Sequence, residues 1–452
     1  MSSADVNNDG MTDVFFGSAA GYKNTMLLQH SSGFATTDQP ALAADSMNED
    51  GESTFFDADK DGDLDLYIVS GGNEFEIGSP DLQDRLYLND GKGNFTKATH
   101  RLPSDSIAGL CIAPCDFDRD GDIDLFIGGC VQQGRYGLPV RSYLLMNDRG
   151  NFIDVTEKWC ASLTVAGMVM DATWSDVNGD QRPDLILVGE WMPVRIFIQN
   201  GNKLEEHLSE GIPNSSGWWN CVAAADLDHD GDIDLVGGNR GNNEQMKADS
   251  LHPAVMYVKD FDGNGTIDPI ITYYIKDGMY PMASRDELLD QLLPLRKKYI
   301  YYRQYADETI DSIFTPSQLQ GARTLTATEF RTCWFENDGR GNFTKHAFAN
   351  SVQFSPVNTL LIEDFNGDKH LDILMAGNNF GLRAEMGRND ASFGNFLQGD
   401  GHGGFIDVPA VESGLLLRGE CRDLQIVELA NGKKIIIAGM NNEKPITYLF
   451  GK

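Results

Sequence analysis

"DADKDGDLDLYIVSGG", residues 57–72, sets five aspartates within nine positions directly ahead of an apolar run. Like charge at that density is unfavourable unless something neutralises it. The run that follows is rich in β-formers and reads as a buried strand. The same grammar, D-x-[DN]-x-[DN]-x-x-x-D, recurs at 5–13, 116–124, 176–184, 226–234, 260–268 and 364–372. Most copies are followed by an apolar run ending in glycine or asparagine, such as "LFIGGC", "LILVGE" and "ILMAGN", and preceded by runs such as "STFF" and "NTLLIE". Each motif is therefore a loop between two strands.

A second element follows at a distance: "LYLNDGKGNF" (86–95), "YLLMNDRGNF" (143–152), "CWFENDGRGNF" (333–343) and "FLQGDGHGGF" (396–405), with weaker copies at 26–34 and 196–204. Asp-Gly and Gly-Asn pairs between apolar runs are hairpin turns in which glycine supplies positive φ. The unit is strand, acidic loop, strand, linker, strand, turn, strand, returning every 50 to 60 residues. That is the habit of a propeller blade. The expectation is an all-β fold, a seven-bladed β-propeller of four-stranded antiparallel blades, with residues 1–452 forming one domain.

Two units depart from the pattern. In the fifth, a hairpin at 260–275 is inserted, a helical insertion at 277–325 follows, and the blade resumes at "TEFRTCWFENDG" (328–339). Ser284 and Glu287 form a capping box there. Leu288, Leu289, Leu292 and Leu293 lie at helical spacing, and Pro294 ends or kinks the first helix. Its leucines and tyrosines are expected to pack onto the propeller. The seventh unit, 422–450, keeps strands but not acids. With only "MSSA" ahead of Asp5, the chain is expected to be a trimmed piece whose upstream segment carries an export signal and the outer strand that the seventh unit lacks.

Positions 1, 3, 5 and 9 of such a loop converge on one point if position 6 turns sharply, and glycine stands there as Gly10, Gly62, Gly121, Gly231 and Gly265. Several charged oxygens around one point are what Ca²⁺ takes, at about 2.3–2.6 Å, with the backbone carbonyl of position 7 completing the set. The expected ligands are Asp5, Asn7, Asp9 and Asp13; Asp57, Asp59, Asp61 and Asp65; Asp116, Asp118, Asp120 and Asp124; and Asp176, Asn178, Asp180 and Asp184. The later loops add Asp226, Asp228, Asp230 and Asp234; Asp260, Asp262, Asn264 and Asp268; and Asp364, Asn366, Asp368 and Asp372. Up to seven calcium ions follow. Loops 57, 116 and 226 carry four aspartates each and are expected to bind best. Loops 176 and 364, with Gln181 and Lys369 where glycine belongs, are expected to bind more weakly. A helix-flanked calcium hand is excluded, because its bidentate glutamate at position 12 is replaced by Ile68, Ile127 or Gly237.

The net charge of −32 argues against nucleic acid as a partner, and no apolar stretch reaches the roughly 18–20 residues of a membrane-spanning helix. Seven scattered cysteines with no paired CxxC are expected to be buried free thiols, neither disulfides nor a zinc cluster.

With these motifs in hand, the chain resembles the FG-GAP/VCBS-repeat family of β-propellers, which includes the integrin α-subunit head and cartilage-acidic-type proteins. "SGWWN" (216–220), "DFDGNGTIDPI" (260–270), "SRDELL" (284–289) and "GRNDASFG" (387–394) are similar to a Bacteroidota-type branch. The resemblance implies structural calcium, an extracellular, periplasmic or outer-membrane-surface location, and binding rather than catalysis.

No HExxH, GxSxG or phosphate-binding glycine loop is present, and no catalytic residue is assigned. The expected role is a non-enzymatic recognition module for a glycan or protein. Its candidate residues at strand ends are Asn73, Glu74, Glu190, Asn239, Arg240, Asn378, Asn379, Asn441 and Asn442. Trp191, Trp218 and Trp219 lie nearby as stacking candidates, against a favoured role between blades. At most one of Trp218 and Trp219 is expected to be free, since neighbours on a strand face opposite ways. The alternative is a polysaccharide lyase or related carbohydrate enzyme using Arg240, Arg383 or Arg388.

Overall fold

The computed structural model describes the chain except for residues 105–107, 210–211, 213, 384–386 and 451–452. It is built from antiparallel sheets with few short helices. Seven sheets follow one another along the chain, led by Ser2–Ala4, Glu49–Phe56, Ala108–Cys115, Met168–Ser175, Gly217–Ala225, Val357–Glu363 and Cys421–Glu428. Six have four strands in chain order; the seventh, among the described residues, has three and ends at Ile446–Phe450. The fourth and fifth join where the end of the fourth sheet's second strand, Asp184–Met192, pairs with the start of the fifth sheet's leading strand, Glu190 with Trp218 and Met192 with Gly217, giving one eight-stranded sheet.

The second strands are the most buried, three of them, Asp65–Gly71, Asp234–Asn239 and Asp372–Gly377, along their whole length. That is why they read as continuous apolar runs: both faces are covered by neighbouring sheets. The buried clusters span adjacent sheets. Ile112, Leu125 and Ile127 of the third sheet pack with Phe56, Tyr67 and Val69 of the second, for example.

Each leading strand lies beside the next, and the last lies beside the first. Every junction is crossed by a side-chain hydrogen bond. Ser2 Oγ and Ser53 Oγ are 3.0 Å apart, Ile112 N donates to Glu52 Oε2 at 3.0 Å, and Trp174 Nε1 donates to Ala113 O at 3.2 Å. Further round, Val222 N donates to Asp171 Oδ2 at 2.7 Å, Asn220 Nδ2 to Val357 O at 3.1 Å and Asn358 Nδ2 to Cys421 O at 3.0 Å. Ser3 Oγ donates to Gln425 Oε1 at 3.3 Å and closes the circuit. Several of these groups sit at β-bulges in the leading strands, where the register skips Met170, Asn220 and Asn358. A bulge turns a side chain off the regular alternation, here onto the next strand.

The interruption of the fifth sheet is larger than a hairpin followed by helices. Ala254–Lys259 and Asp268–Ile275 pair with Gly278–Pro281 and Arg323–Ala327 to form a separate four-stranded sheet. Residues 278–281 and 323–325, expected inside the helical stretch of 277–325, belong to strands that complete the edges of this hairpin. Between them the capping box on Ser284 starts the helix Arg285–Gln291, and a 3-10 turn carrying Pro294 follows. Leu288, Leu289 and Leu292 pack with Ile270, Ile310 and Phe314, so the helices cover the inserted sheet rather than the ring. Leu293, beyond the helix end, is 56% exposed. The inserted sheet shares a core with the ring through Met256, Tyr273, Trp191, Trp218 and Phe330. All seven cysteines are unpaired; Cys115 and Cys130 are half-buried and the rest buried.

Candidate metal centres in the acidic loops

All seven acidic loops have one backbone plan. The first aspartate accepts a hydrogen bond from the amide of position 6, as in Gly62 N to Asp57 Oδ2 at 3.0 Å and Gln181 N to Asp176 Oδ2 at 2.6 Å. The residue at position 5, aspartate in six loops and Asn264 in the other, accepts from the amide of position 7, as in Asp122 N to Asp120 Oδ1 at 2.8 Å. Position 6 has positive φ even where it is not glycine, at +64° for Gln181 and +75° for Lys369. The plan thus survives a residue that glycine would relieve.

The position-9 aspartates, Asp13, Asp65, Asp124, Asp184, Asp234, Asp268 and Asp372, are all buried. Each accepts from the amide of position 2 of its own loop, and six also accept from the third strand. Asp65 takes Ala58 N at 3.0 Å and Asn89 N at 2.8 Å; Asp234 takes Leu227 N at 3.1 Å and Asn337 N at 2.9 Å. Burial, reinforced by neighbouring carboxylates, pushes Asp65 and Asp124 up to about 7 and Asp13, Asp184 and Asp234 up to about 6.

The loops divide on the second oxygen of the first aspartate. In loops 57, 116 and 226 the Oδ1 atoms of Asp57, Asp116 and Asp226 are buried without a hydrogen-bond partner, as is that of Asp59. In loops 5, 176, 260 and 364 the same atom accepts from loop amides, such as Gly179 N to Asp176 at 2.8 Å and Gly367 N to Asp364 at 2.7 Å. Such amide donors hold Asp260 below the usual carboxylate range.

Ligand atoms of Asp57, Asp59 and Asp61 lie within 4.8 Å of one another, and so do those of Asp116, Asp118 and Asp124; of Asp226, Asp228 and Asp230; and of Asp260, Asp262 and Asp268. These groups could each hold a metal ion. A buried, unpartnered carboxylate oxygen is costly, and an all-oxygen donor set with that defect fits a hard cation. Loops 5, 176 and 364 place Asn7, Asn178 and Asn366 third, so fewer charges meet there.

Two features of the second repeated element escaped the sequence reading. Its glycine lies against position 7 of the acidic loop: a Cβ on Gly91 would come 2.5 Å from Asp63 Oδ1, and one on Gly339 2.5 Å from Asp232. Its asparagine crosses to the preceding sheet. Asn147 Nδ2 donates to Ala58 O at 2.9 Å and Asn337 Nδ2 to Val177 O at 2.8 Å, and Gln199 Nε2 donates to Phe117 O at 2.6 Å in the same place. An amide side chain before the turn in five of the six copies, with Gly399 in the other, was the available signal.

The strand-end residues separate into two kinds. Asn73, Glu74, Asn441 and Asn442 are exposed. Asn239 and Asn378 are buried and serve the fold: Asn239 Nδ2 donates to Glu329 O and Asn378 Nδ2 to Gly419 O. Glu190 accepts from Tyr136 Oη at 2.5 Å; Asn379 bridges Asn389. Arg240 lies 4.1 Å over the Trp218 ring and pairs with Glu244, Arg383 pairs with Glu287 at 2.9 Å, and Arg388 lies over Phe380. The three tryptophans are core, in line with the favoured expectation: Trp219 packs between the fourth and fifth sheets, and Trp191 and Trp218 pack with the inserted sheet. Trp191 and Trp218 meet edge to face at 5.1 Å, and Trp219 is fully buried on Phe335. Neither Trp218 nor Trp219 is free, because the inserted sheet covers the face that the fifth sheet alone would leave open.

Three FG-GAP-like repeats occur in the chain, over residues 5–68, 57–127 and 176–237. Among solved structures, the chain is similar to a lectin of Agrocybe aegerita that recognises non-reducing terminal N-acetylglucosamine, at 15% identity over 87% of this chain and 88% of that one, with a TM-score of 0.36. It is also similar to the V. cholerae biofilm matrix protein Bap1, at 12% identity over 97% of this chain and 83% of that one, with a TM-score of 0.35. No curated protein matches the chain. No helix among the described residues is long and apolar enough to cross a membrane.

Proposed function

We propose that this FG-GAP-like repeat protein is a calcium-stabilised, seven-bladed β-propeller acting outside the cell as a non-enzymatic recognition module for a glycan or protein. The observation that carries the calcium reading is the set of buried, partnerless oxygens on Asp57, Asp59, Asp116 and Asp226. Cations at these points would compensate buried carboxylate oxygens that the loop amides leave without a donor. The closed circuit of leading strands supports the propeller, each sheet being a blade. Loops 57, 116 and 226 are the strongest of up to seven sites. The position-9 aspartates hold the loop to its blade and offer their remaining lone pairs to the ion. Recognition falls to exposed strand ends such as Asn73, Glu74, Asn441 and Asn442, on surface that the inserted sheet leaves free.

A melt in calcium and in excess EGTA tests the metal: a large drop on chelation is expected, and an unchanged melt refutes it. A glycan array with absorbance followed near 235 nm tests the role. Binding without unsaturated product is expected, whereas a rise in absorbance would identify a lyase.

A further inference from the structure

The fourth residue of an acidic loop is not a proposed ligand, yet in four loops it has the same unusual backbone. Asn8, Lys60, Arg119 and His229 have φ of +58°, +61°, +64° and +62°. Left-handed backbone at non-glycine residues is uncommon, and here it aims each side chain at the next loop round the ring. Asn8 Nδ2 donates to Asp63 Oδ1 at 2.9 Å, and Lys60 Nζ lies 2.6 Å from Asp122 Oδ1. Arg119 donates to Gln181 O, and His229 Nε2 lies 3.1 Å from Lys369 O.

The acceptors are position 7 in glycine-type loops and position 6 in the two loops that lack the glycine. At position 7 the contact fixes the carboxylate of Asp63 or Asp122, the residue whose backbone carbonyl is the expected ligand. At position 6 it grips the carbonyl of Gln181 or Lys369, the residues forced to positive φ where glycine is missing. Loops 176 and 364 themselves carry Gly179 and Gly367 at position 4 and send no side chain onward.

Resting on the calcium reading above, we propose that Asn8, Lys60, Arg119 and His229 are positioning residues for the cation site of the next blade. They couple the sites into two arcs, one running through loops 5, 57, 116 and 176 and the other through loops 226 and 364. Partners beyond the ligands commonly change metal affinity by about ten-fold or more.

The test is calorimetric titration of the full chain, stripped with EGTA, against Ca²⁺. Glycine keeps the positive φ, so Lys60→Gly and His229→Gly remove only the contact. Each is expected to weaken binding at the loop it faces about ten-fold and to flatten the binding curve of its own arc alone, with the number of ions and the calcium-free melting temperature unchanged. Lys60→Met separates position from charge: a purely electrostatic Lys60 would make its removal tighten binding, whereas positioning makes it weaker. Asn8→Gly, neutral and on an exposed loop, repeats the test should a charged variant fail to fold. Unchanged or tighter affinity in these variants overturns the coupling while leaving calcium binding intact. No uptake by the unmodified chain overturns the calcium reading and this inference with it.

Discussion

The side-chain amide of Asn89 donates to the carbonyl of Val6 at 2.7 Å and to that of Leu64 at 3.0 Å, so one buried residue holds the acidic loops of two sheets. Asn337 does the same with Val177 and Ile233. Asn337→Ala leaves a buried and a half-buried carbonyl without this donor, which costs about 1–3 kcal/mol. A urea midpoint equal to that of the unmodified protein would refute the role.

Asp116→Asn is expected to change sign with calcium. In calcium it removes a ligand, lowering the melting temperature and the ion count by one. In EGTA it removes a buried charge that has no partner on Oδ1, and the melting temperature rises. Asp364→Asn, where both oxygens already accept loop amides, should show a smaller calcium effect and no rise in EGTA. Paired scanning calorimetry decides it.

Glu52, Asp171 and Asp423 face one another from three leading strands. Enclosure among these strands, and then the Asp171 carboxylate, pushes Glu52 up to about 8 although its side chain still meets water, and burial pushes Asp171 up to about 7. Both lie above their unfolded values, so the folded state holds protons that the unfolded chain has released. Stability present in acid is then lost as pH rises through about 7 to 8. With calcium saturating, the urea midpoint should fall between pH 6 and pH 9, and Glu52→Gln should flatten that slope. An identical slope in the variant refutes the assignment.

Trp218→Ala tests core against ligand contact. Truncating a tryptophan packed on Trp191 and Phe330 costs about 3–5 kcal/mol. The loss should appear in denaturant titration with or without any sugar, and a variant of full stability would restore the stacking role.

Much of this was legible in the sequence because the repeat prints both periods at once. Aspartates at alternate positions mark the loop, and the unbroken run "LYIVSGG" marks a strand covered on both sides. What stayed hidden depends on proximity between units. Nothing in "NDR" says that Asn147 reaches Ala58 in another sheet, and nothing in "NDG" says that Gly91 is required by Asp63 as well as by the positive φ of its own turn. Residues 278–281 and 323–327 look unremarkable until the hairpin beside them supplies partners. The interior is the favoured place for both tryptophans of "SGWWN", but only the structure shows that Trp218 is covered by the inserted sheet while Trp219 packs between the fourth and fifth sheets.

Beside the Ser3–Gln425 contact, Gln29 fastens the first sheet to the last at two points: Gln29 Nε2 donates to Glu428 O at 2.9 Å, and Ala430 N donates to Gln29 Oε1 at 2.6 Å. Contacts so distant along the chain carry a heavy loop-closure cost and slow the search for the native state. During synthesis the opening sheet must wait for nearly the whole polypeptide before its partner exists. Its unsealed edge is then the place where a nascent chain is most exposed to mispairing and most in need of a chaperone.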